Sequence, residues 1–201
     1  MNKIILMALL FISFTASAIT LDDVQRIFAS QPVVRAKFQQ ERQISGMAQP
    51  LHSSGEVLIA KSKGLWWQQQ HPFPMTLVLD DSHMVQVMGS QAPQIITADS
   101  NPQMFQFNHL LRALFQADRK VLDENFSMVF TDQGKGQWQL VLTPTTTPLD
   151  KLFSTITLQG DKYLKLIELN DLQGDFTEIT FSNHRPNPRK LTHEEQQRFA
   201  F

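Results

Sequence analysis

The chain has 201 residues, with 18 basic and 19 acidic side chains and a formal net charge of −1. A charge this close to zero gives no basis for binding nucleic acid or an acidic membrane surface. The sequence contains no cysteine, which excludes a disulfide framework and the acylation of an N-terminal cysteine.

Residues 1–18 have the pattern of a secretory signal peptide. Lys3 precedes an apolar run from Ile4 to Phe14, and small residues follow at Ala16-Ser17-Ala18. The apolar run is too short for a permanent transmembrane helix. We therefore expect cleavage after Ala18 and a single domain over residues 19–201, exported, soluble and not lipid-anchored.

The mature chain is expected to begin with a short helix. Thr20 is the predicted N-cap and Asp23 occupies the capping-box position, while Pro32 ends the helix. Its apolar stripe consists of Leu21, Val24, Ile27 and Phe28.

A period of two, typical of strands, begins at Val34 and returns in short runs as far as Asn183. Ten or eleven strands with hairpin connections predict one antiparallel sheet, curved or closed. Helical patterns interrupt it at residues 101–117 and after Thr192, where Glu195 completes a second capping box.

The sequence shows no pattern typical of catalysis. It lacks the G-x-S-x-G elbow, and none of its six histidines has the spacing of a zinc site. Gly134-Lys135-Gly136 lies between strands and predicts a hairpin turn rather than a phosphate-binding loop. Acidic pairs such as Asp80-Asp81 lie at turns or helix starts, where carboxylates cap backbone amides. We expect a binding protein with no catalytic residue, no metal and no cofactor.

Several short motifs, in order, resemble the periplasmic outer-membrane lipoprotein carriers of the LolA type over residues 21–201. They begin with Phe38-x-Gln40 and continue from Gly55 through Lys61-Ser62 to Leu65, Trp67 and Pro72-Phe73. LVLDDSHMVQV, WQLVLTP and the closing RFAF follow in the family's order.

The resemblance implies an α+β, mostly antiparallel fold: an eleven-stranded, unclosed barrel-like sheet covered by short lid helices. It also implies a periplasmic monomer whose apolar cavity carries the acyl chains of a lipoprotein, or other lipid-linked cargo, from an inner-membrane exporter to an outer-membrane acceptor. The residues that this fold would turn toward the cavity are Leu65, Trp67, Met75, Leu77, Leu79, Met84, Met88, Phe105, Leu111, Leu114, Phe115, Trp138 and Leu140. Each of them would equally suit an ordinary core.

The chain departs from the family pattern at three positions. Lys61 and Ser62 stand where the family has Arg-Pro, and Asp81 replaces the glycine of an Asp-Gly turn. The resemblance gives position 61 the role of a lid latch that binds backbone carbonyls. Since lysine has no planar fork of donors, we expect this latch to be weaker or differently placed. Trp66 would face away from the cavity, against a partner protein or, more readily, under a loop.

Two other functions remain open from the sequence. One is a sensor or adaptor module of the same fold, which binds a partner protein or a non-lipoprotein apolar ligand. The other is a secreted hydrolase with a site assembled from scattered residues, for which His109 and Asp80 are the best candidates.

Overall fold

The structure, a computed structural model, describes residues 18–97, 99–100, 113, 115 and 118–200. The predicted signal peptide lies outside these residues except for Ala18. Most of the helix predicted at 101–117 also lies outside them, although Ala113 and Phe115 are helical.

The described residues form eleven strands and three short helices, together with a 3₁₀ turn at Leu149–Lys151. The strands are β1 Val33–Gln43, β2 Leu51–Ala60, β3 Gly64–His71, β4 Met75–Leu79, β5 His83–Met88, β6 Gln94–Thr97, β7 Phe126–Gly134, β8 Gln137–Pro144, β9 Phe153–Gly160, β10 Leu164–Asp171 and β11 Phe176–Arg185. The helices are α1 Leu21–Ala29, α2 Arg119–Asn125 and α3 His193–Gln197.

All eleven strands lie in one antiparallel sheet, in the order β6-β5-β4-β3-β2-β1-β11-β10-β9-β8-β7. Nearly every strand therefore pairs with its sequence neighbour, as hairpin connections predict. β1 and β11 pair at the centre and join the two halves. Because β6 and β7 end the order without pairing to each other, the sheet is not closed. The predicted fold class is confirmed.

Adjacent residues of β3 serve opposite faces of the sheet, as the strand pleat requires. Leu65 and Trp67 lie in the larger hydrophobic cluster on the inner face, with Phe38, Trp138 and Leu140. Trp66 lies on the outer face in a second cluster (the outer cluster), which also contains Val33, Leu58, Ala60, Val78 and Val85. The sheet thus has an apolar layer on each face, and Trp66 and Trp67 each pack into a different one.

Helix α1 packs on the inner face. Thr20 and Asp23 form the predicted capping box, with the Thr20 hydroxyl accepting from the Asp23 amide. Leu21 and Val24 are buried in the inner cluster, and the Phe28 ring meets Trp138 edge-on with centroids 5.9 Å apart. The apolar stripe read from the sequence therefore fixes which side of α1 faces the sheet.

The C-terminal segment, residues 186–200, covers the outer cluster. Leu191 and Phe199 pack against that cluster, and the guanidinium of Arg198 stands 4.5 Å from the centroid of the Trp66 ring. Trp66 is only 6% exposed as a result. Of the two environments predicted for Trp66, the structure shows cover by the chain itself.

A buried ion pair holds this segment against the sheet. Arg35 of β1 donates from Nε and Nη2 to the two carboxylate oxygens of Glu195, at 2.5 and 2.7 Å. Its guanidinium also donates to the carbonyls of Pro188 and Lys190, at 2.9 and 3.3 Å. Both side chains of the pair are buried, and the Glu195 carboxylate also caps α3 through the amide of Thr192.

Acid is expected to weaken this anchor. The Arg35 guanidinium lowers the pKa of Glu195 from 4.5 to about 2. Because the folded pKa lies below the unfolded one, the stabilisation is complete above about pH 4.5 and is lost as the pH falls toward 2. Between pH 6 and pH 3 the wild type should lose about 2 kcal/mol more free energy of unfolding than Glu195→Gln. Urea titrations at both pH values measure this difference; equal losses would contradict it.

Candidate functional site

An apolar cavity lies between α1 and the inner face, at the end of the sheet that carries the β2–β3 and β9–β10 turns. About 50 Å³ of it is open space that could admit a water molecule. Its described lining residues are Phe28, Gln31, Val34, Ala36, Val57, Ile59, Lys61, Phe115, Lys162, Tyr163, Leu164, Phe181 and His184.

The apolar walls of the cavity follow from strand alternation. Val34 and Ala36 project inward from β1, and Val57 and Ile59 do so from the paired strand β2. Phe28, in the last turn of α1, lies across from them. The sheet thus supplies β-branched and small side chains on one side, while the helix supplies an aromatic ring on the other.

The carboxyl end of α1 is fixed at the edge of this cavity by side chains from elsewhere in the chain. Lys61 Nζ donates to the Ala29 carbonyl at 2.8 Å, and Arg189 donates to the Ser30 carbonyl at 2.9 Å. Gln31 Nε2 donates to the Lys162 carbonyl at 2.8 Å. Cations here complement the unpaired carbonyls and the negative end of the helix dipole. Lys61, in the turn after β2, thus makes one hydrogen bond to a carbonyl at the end of α1; its role as a lid latch stays a prediction.

His184 and Tyr163 form a flat stack beside the cavity, with centroids 4.7 Å apart. His184 Nε2 lies 2.9 Å from the Leu164 carbonyl oxygen, so this nitrogen carries the proton and donates. Burial lowers the pKa of His184 below its ordinary value of 6.5, which makes the imidazole neutral at pH 7. The stack forms a firm, largely uncharged part of the wall.

A chain of aromatic contacts connects the cavity to the tryptophan of β3. Phe38 stacks on Trp67 with centroids 3.7 Å apart. Trp67 meets Phe181 edge-on at 6.2 Å, and Phe181 in turn meets Phe115 at 5.8 Å. Since Phe181 and Phe115 line the cavity, only the Phe181 ring separates Trp67 from a ligand bound there.

The thirteen residues predicted to face a cavity fall into three groups. Eight belong to the inner cluster or pack against it: Leu65, Trp67, Leu77, Leu79, Met84, Phe115, Trp138 and Leu140. Met75 and Met88 pair across β4 and β5 at the opposite end of the sheet, and Met88 is exposed. Phe105, Leu111 and Leu114 lie outside the described residues. Phe115 alone of the ten described residues lines the cavity, so ligand contact by the others stays a prediction.

Sequence reasoning missed most of the cavity wall. Val34, Ala36, Val57 and Ile59 carried a usable signal, because their period of two placed them on one face of two strands. The turn residues Lys162 and Tyr163 carried none, since no local pattern tells which turn will stand beside the end of α1.

In the part of the chain that the structure describes, no group of three or more His, Asp or Glu side chains could hold a metal ion. Asp80 Oδ1 accepts from the amides of Ser82 and His83, at 2.7 and 2.6 Å, which is the turn-capping role predicted for it. His109 lies outside the described residues. Within the described ranges no helix is long and apolar enough to cross a bilayer.

An open antiparallel sheet, with a helix on its inner face and an apolar space between them, defines a ligand-binding open barrel. The chain belongs to the LolA family: the family model described as outer membrane lipoprotein carrier protein LolA matches residues 30–194. This confirms the resemblance read from the motifs and makes the chain a lipid- or lipoprotein-binding module of carrier type, or a related one. A comparison with curated proteins finds no match.

Solved structures of similar fold accompany this family match. A LolA superfamily protein from Nitrosomonas europaea is 11% identical, with 88% of this chain and 97% of that chain covered and a TM-score of 0.48. A DUF1329 family protein from Desulfovibrio piger is 13% identical, with 86% and 93% covered and a TM-score of 0.48. The Pseudomonas aeruginosa MucA/MucB complex contains a chain 11% identical, with 82% and 56% covered and a TM-score of 0.44. At these scores we draw no functional argument from them.

Proposed function

We propose that this protein is a periplasmic carrier that binds the acyl chains of lipoproteins, or of another lipid-linked molecule, and moves them from the inner to the outer membrane. Membership of a lipoprotein-carrier family supports the class. The proposal includes export with cleavage after Ala18, so the N-terminus of the protein recovered from the periplasm should be Ile19.

The single observation that carries the proposal is the cavity under α1, with its mainly apolar lining. Its open space of about 50 Å³ is well below the roughly 300–1,000 Å³ of small-molecule sites, so a ligand has to move part of the wall. Each methylene that it buries there contributes about 0.8 kcal/mol relative to water. The donor and the acceptor also offer apolar surfaces, so the net preference at each handover is small. Such a carrier needs a cavity that opens easily rather than one that binds irreversibly.

We expect the carboxyl-terminal part of α1 to move, since Leu21 and Val24 fix the start of the helix in the inner cluster. Its last turn and the residues after it are held to the rest of the chain by the side-chain bonds of Lys61, Arg189 and Gln31, all near the surface. The open space of about 50 Å³ is smaller than a single acyl chain. Binding of even one chain therefore requires α1 to move away from β1 and β2.

Native mass spectrometry with a synthetic triacylated peptide tests the proposal. We expect a one-to-one complex and a change in tryptophan emission, because Trp67 and Trp138 each contact a ring that lines the cavity. The same peptide without acyl chains is the control. A missing complex together with unchanged emission contradicts the carrier function, and specific capture of one membrane protein by such a non-binding chain would support the adaptor interpretation.

Ile59→Gln is expected to weaken acyl binding about tenfold. Ile59 is half-buried in the cavity wall, and an amide there loses apolar contact with the ligand and has to give up water. Ile95→Gln is the matched control, since Ile95 is exposed on the edge strand β6 and lies away from the cavity. Titration by tryptophan emission measures both variants. Equal affinities would show that the ligand does not lie against β2.

A further inference from the structure

Two of the polar residues that line the cavity are exposed cations, and the part of the rim that they form is called its mouth. Lys61 and Lys162 contribute two ammonium groups, while Gln31, Tyr163 and His184 contribute neutral polar groups. No carboxylate is present among the described residues that line the cavity. The cavity thus has an apolar interior and a cationic mouth. Acyl chains alone would require only an apolar lining.

Lys61 retains donors for a ligand. Its ammonium uses one of three N–H groups on the Ala29 carbonyl, and its side chain is otherwise exposed. The partial negative charge at the end of α1 is shared with Arg189, which binds the next carbonyl. The full positive charge of Lys61 is therefore not compensated by the helix.

Lys162 lines the same cavity as Lys61, and the β9–β10 turn that carries it is tied to the end of α1. Gln31, two residues beyond Ala29, binds the Lys162 carbonyl. The carboxylate nearest in sequence, Asp161, is already paired with Lys165 at 2.6 Å. Within the described part of the chain, neither Lys61 nor Lys162 forms an ion pair. The Lys162 ammonium stands 5.3 Å from the Tyr163 ring centroid, which keeps it near the mouth.

We propose that the cavity binds a single-chain amphiphile with an anionic head group, a carboxylate or a phosphate. As α1 moves outward, the chain enters between Phe28 of the helix and Val57 and Phe181 of the sheet. The anion then lies between Lys61 and Lys162. Charge-assisted hydrogen bonds from both ammonium groups then add to the burial of the chain. This inference rests on the proposed function, because the same cavity receives the acyl chain.

The test compares amphiphiles that share one acyl chain. Oleoyl lysophosphatidic acid is expected to bind about tenfold more tightly than mono-oleoylglycerol, and oleate distinguishes a carboxylate head from a phosphate head. Glycerol 3-phosphate, which has the head without the chain, should not bind. Lys61→Gln and Lys162→Gln should each weaken binding of the phosphate lipid about three- to fivefold. The double variant should bind it no better than the neutral lipid.

Lys63→Gln is the matched control, since Lys63 is exposed in the same β2–β3 turn and does not line the cavity. It should leave all affinities unchanged, and the neutral lipid should bind every variant alike. Equal affinity of the wild type for the neutral and the phosphate lipid overturns the inference while the carrier function stands. If the lysine variants lose the same affinity for both lipids, the lysines act by holding α1 in place. That result also overturns the inference. Failure of every acyl compound to bind contradicts the carrier function itself.

Discussion

Arg35→Met is expected to lower the free energy of unfolding by about 3–5 kcal/mol. Glu195 is only 8% exposed, and its carboxylate would lose both of its bonds to the guanidinium while staying buried. The pKa of Glu195, lowered by Arg35 from 4.5 to about 2, corresponds to about 3 kcal/mol. The two figures agree in size. Urea unfolding followed by circular dichroism measures the loss.

Two further variants separate the ion pair from the general effect of removing an arginine. Arg119→Met removes a guanidinium whose partners, Asp22 and Asp123, are exposed. It should lower the free energy of unfolding much less than Arg35→Met does. Arg35→Met combined with Glu195→Met should cost less than the two single changes added together, because no charge remains buried. A loss for Arg35→Met no greater than that for Arg119→Met would show that the pair does not anchor the C-terminal segment.

Gly55→Ala is expected to lower the free energy of unfolding by about 3 kcal/mol or more. A Cβ atom at this position would stand 1.8 Å from the Gln68 carbonyl oxygen of β3 and 2.9 Å from a carbon of the Phe38 ring. Relief requires a backbone shift of β2 against β3, at the place where Phe38 stacks on Trp67. Such overpacking normally costs 1–3 kcal/mol, and the backbone contact places this site at the upper end.

Gly46→Ala is the matched control for the glycine prediction. Its Cβ would meet nothing within 4 Å, although its φ of +85° is unfavourable for alanine. Gly46→Ala should therefore lower the free energy of unfolding by about 1–2 kcal/mol, because only the backbone conformation is unfavourable. Denaturant midpoints at constant m-value measure both changes. A smaller loss for Gly55→Ala than for Gly46→Ala would show that the β2–β3 approach is not tight.

The fold could be predicted from the sequence because its signals are local. The capping boxes at Thr20 and Thr192 mark two helices, and both form with the expected partners Asp23 and Glu195. Strand alternation separates Trp66 from Trp67, and hairpin turns such as that at Lys135 place most strands beside their sequence neighbours. Each of these features depends on residues only a few positions apart.

The site was predicted less well because it depends on long-range packing. Leu79 and Leu140 share a face with the cavity wall, yet they do not line the cavity. A period of two predicts which face of the sheet a residue occupies, but not its position along that face. The partner of Arg35 lies 160 residues away, and the pairing of Lys162 with the end of α1 depends on the whole curve of the sheet. Neither contact leaves a pattern in neighbouring residues.

The placement of Trp66 and Trp67 on opposite sides of one wall makes the dipeptide a pair of independent spectroscopic reporters. With Trp138 and Trp66 replaced by phenylalanine, the remaining indole would respond to cargo inside the barrel. With Trp138 and Trp67 replaced instead, the remaining indole would respond to detachment of the C-terminal segment. These two proteins differ only in which of the two neighbouring indoles is kept. Their emission would show whether ligand binding inside the barrel detaches the C-terminal segment outside it.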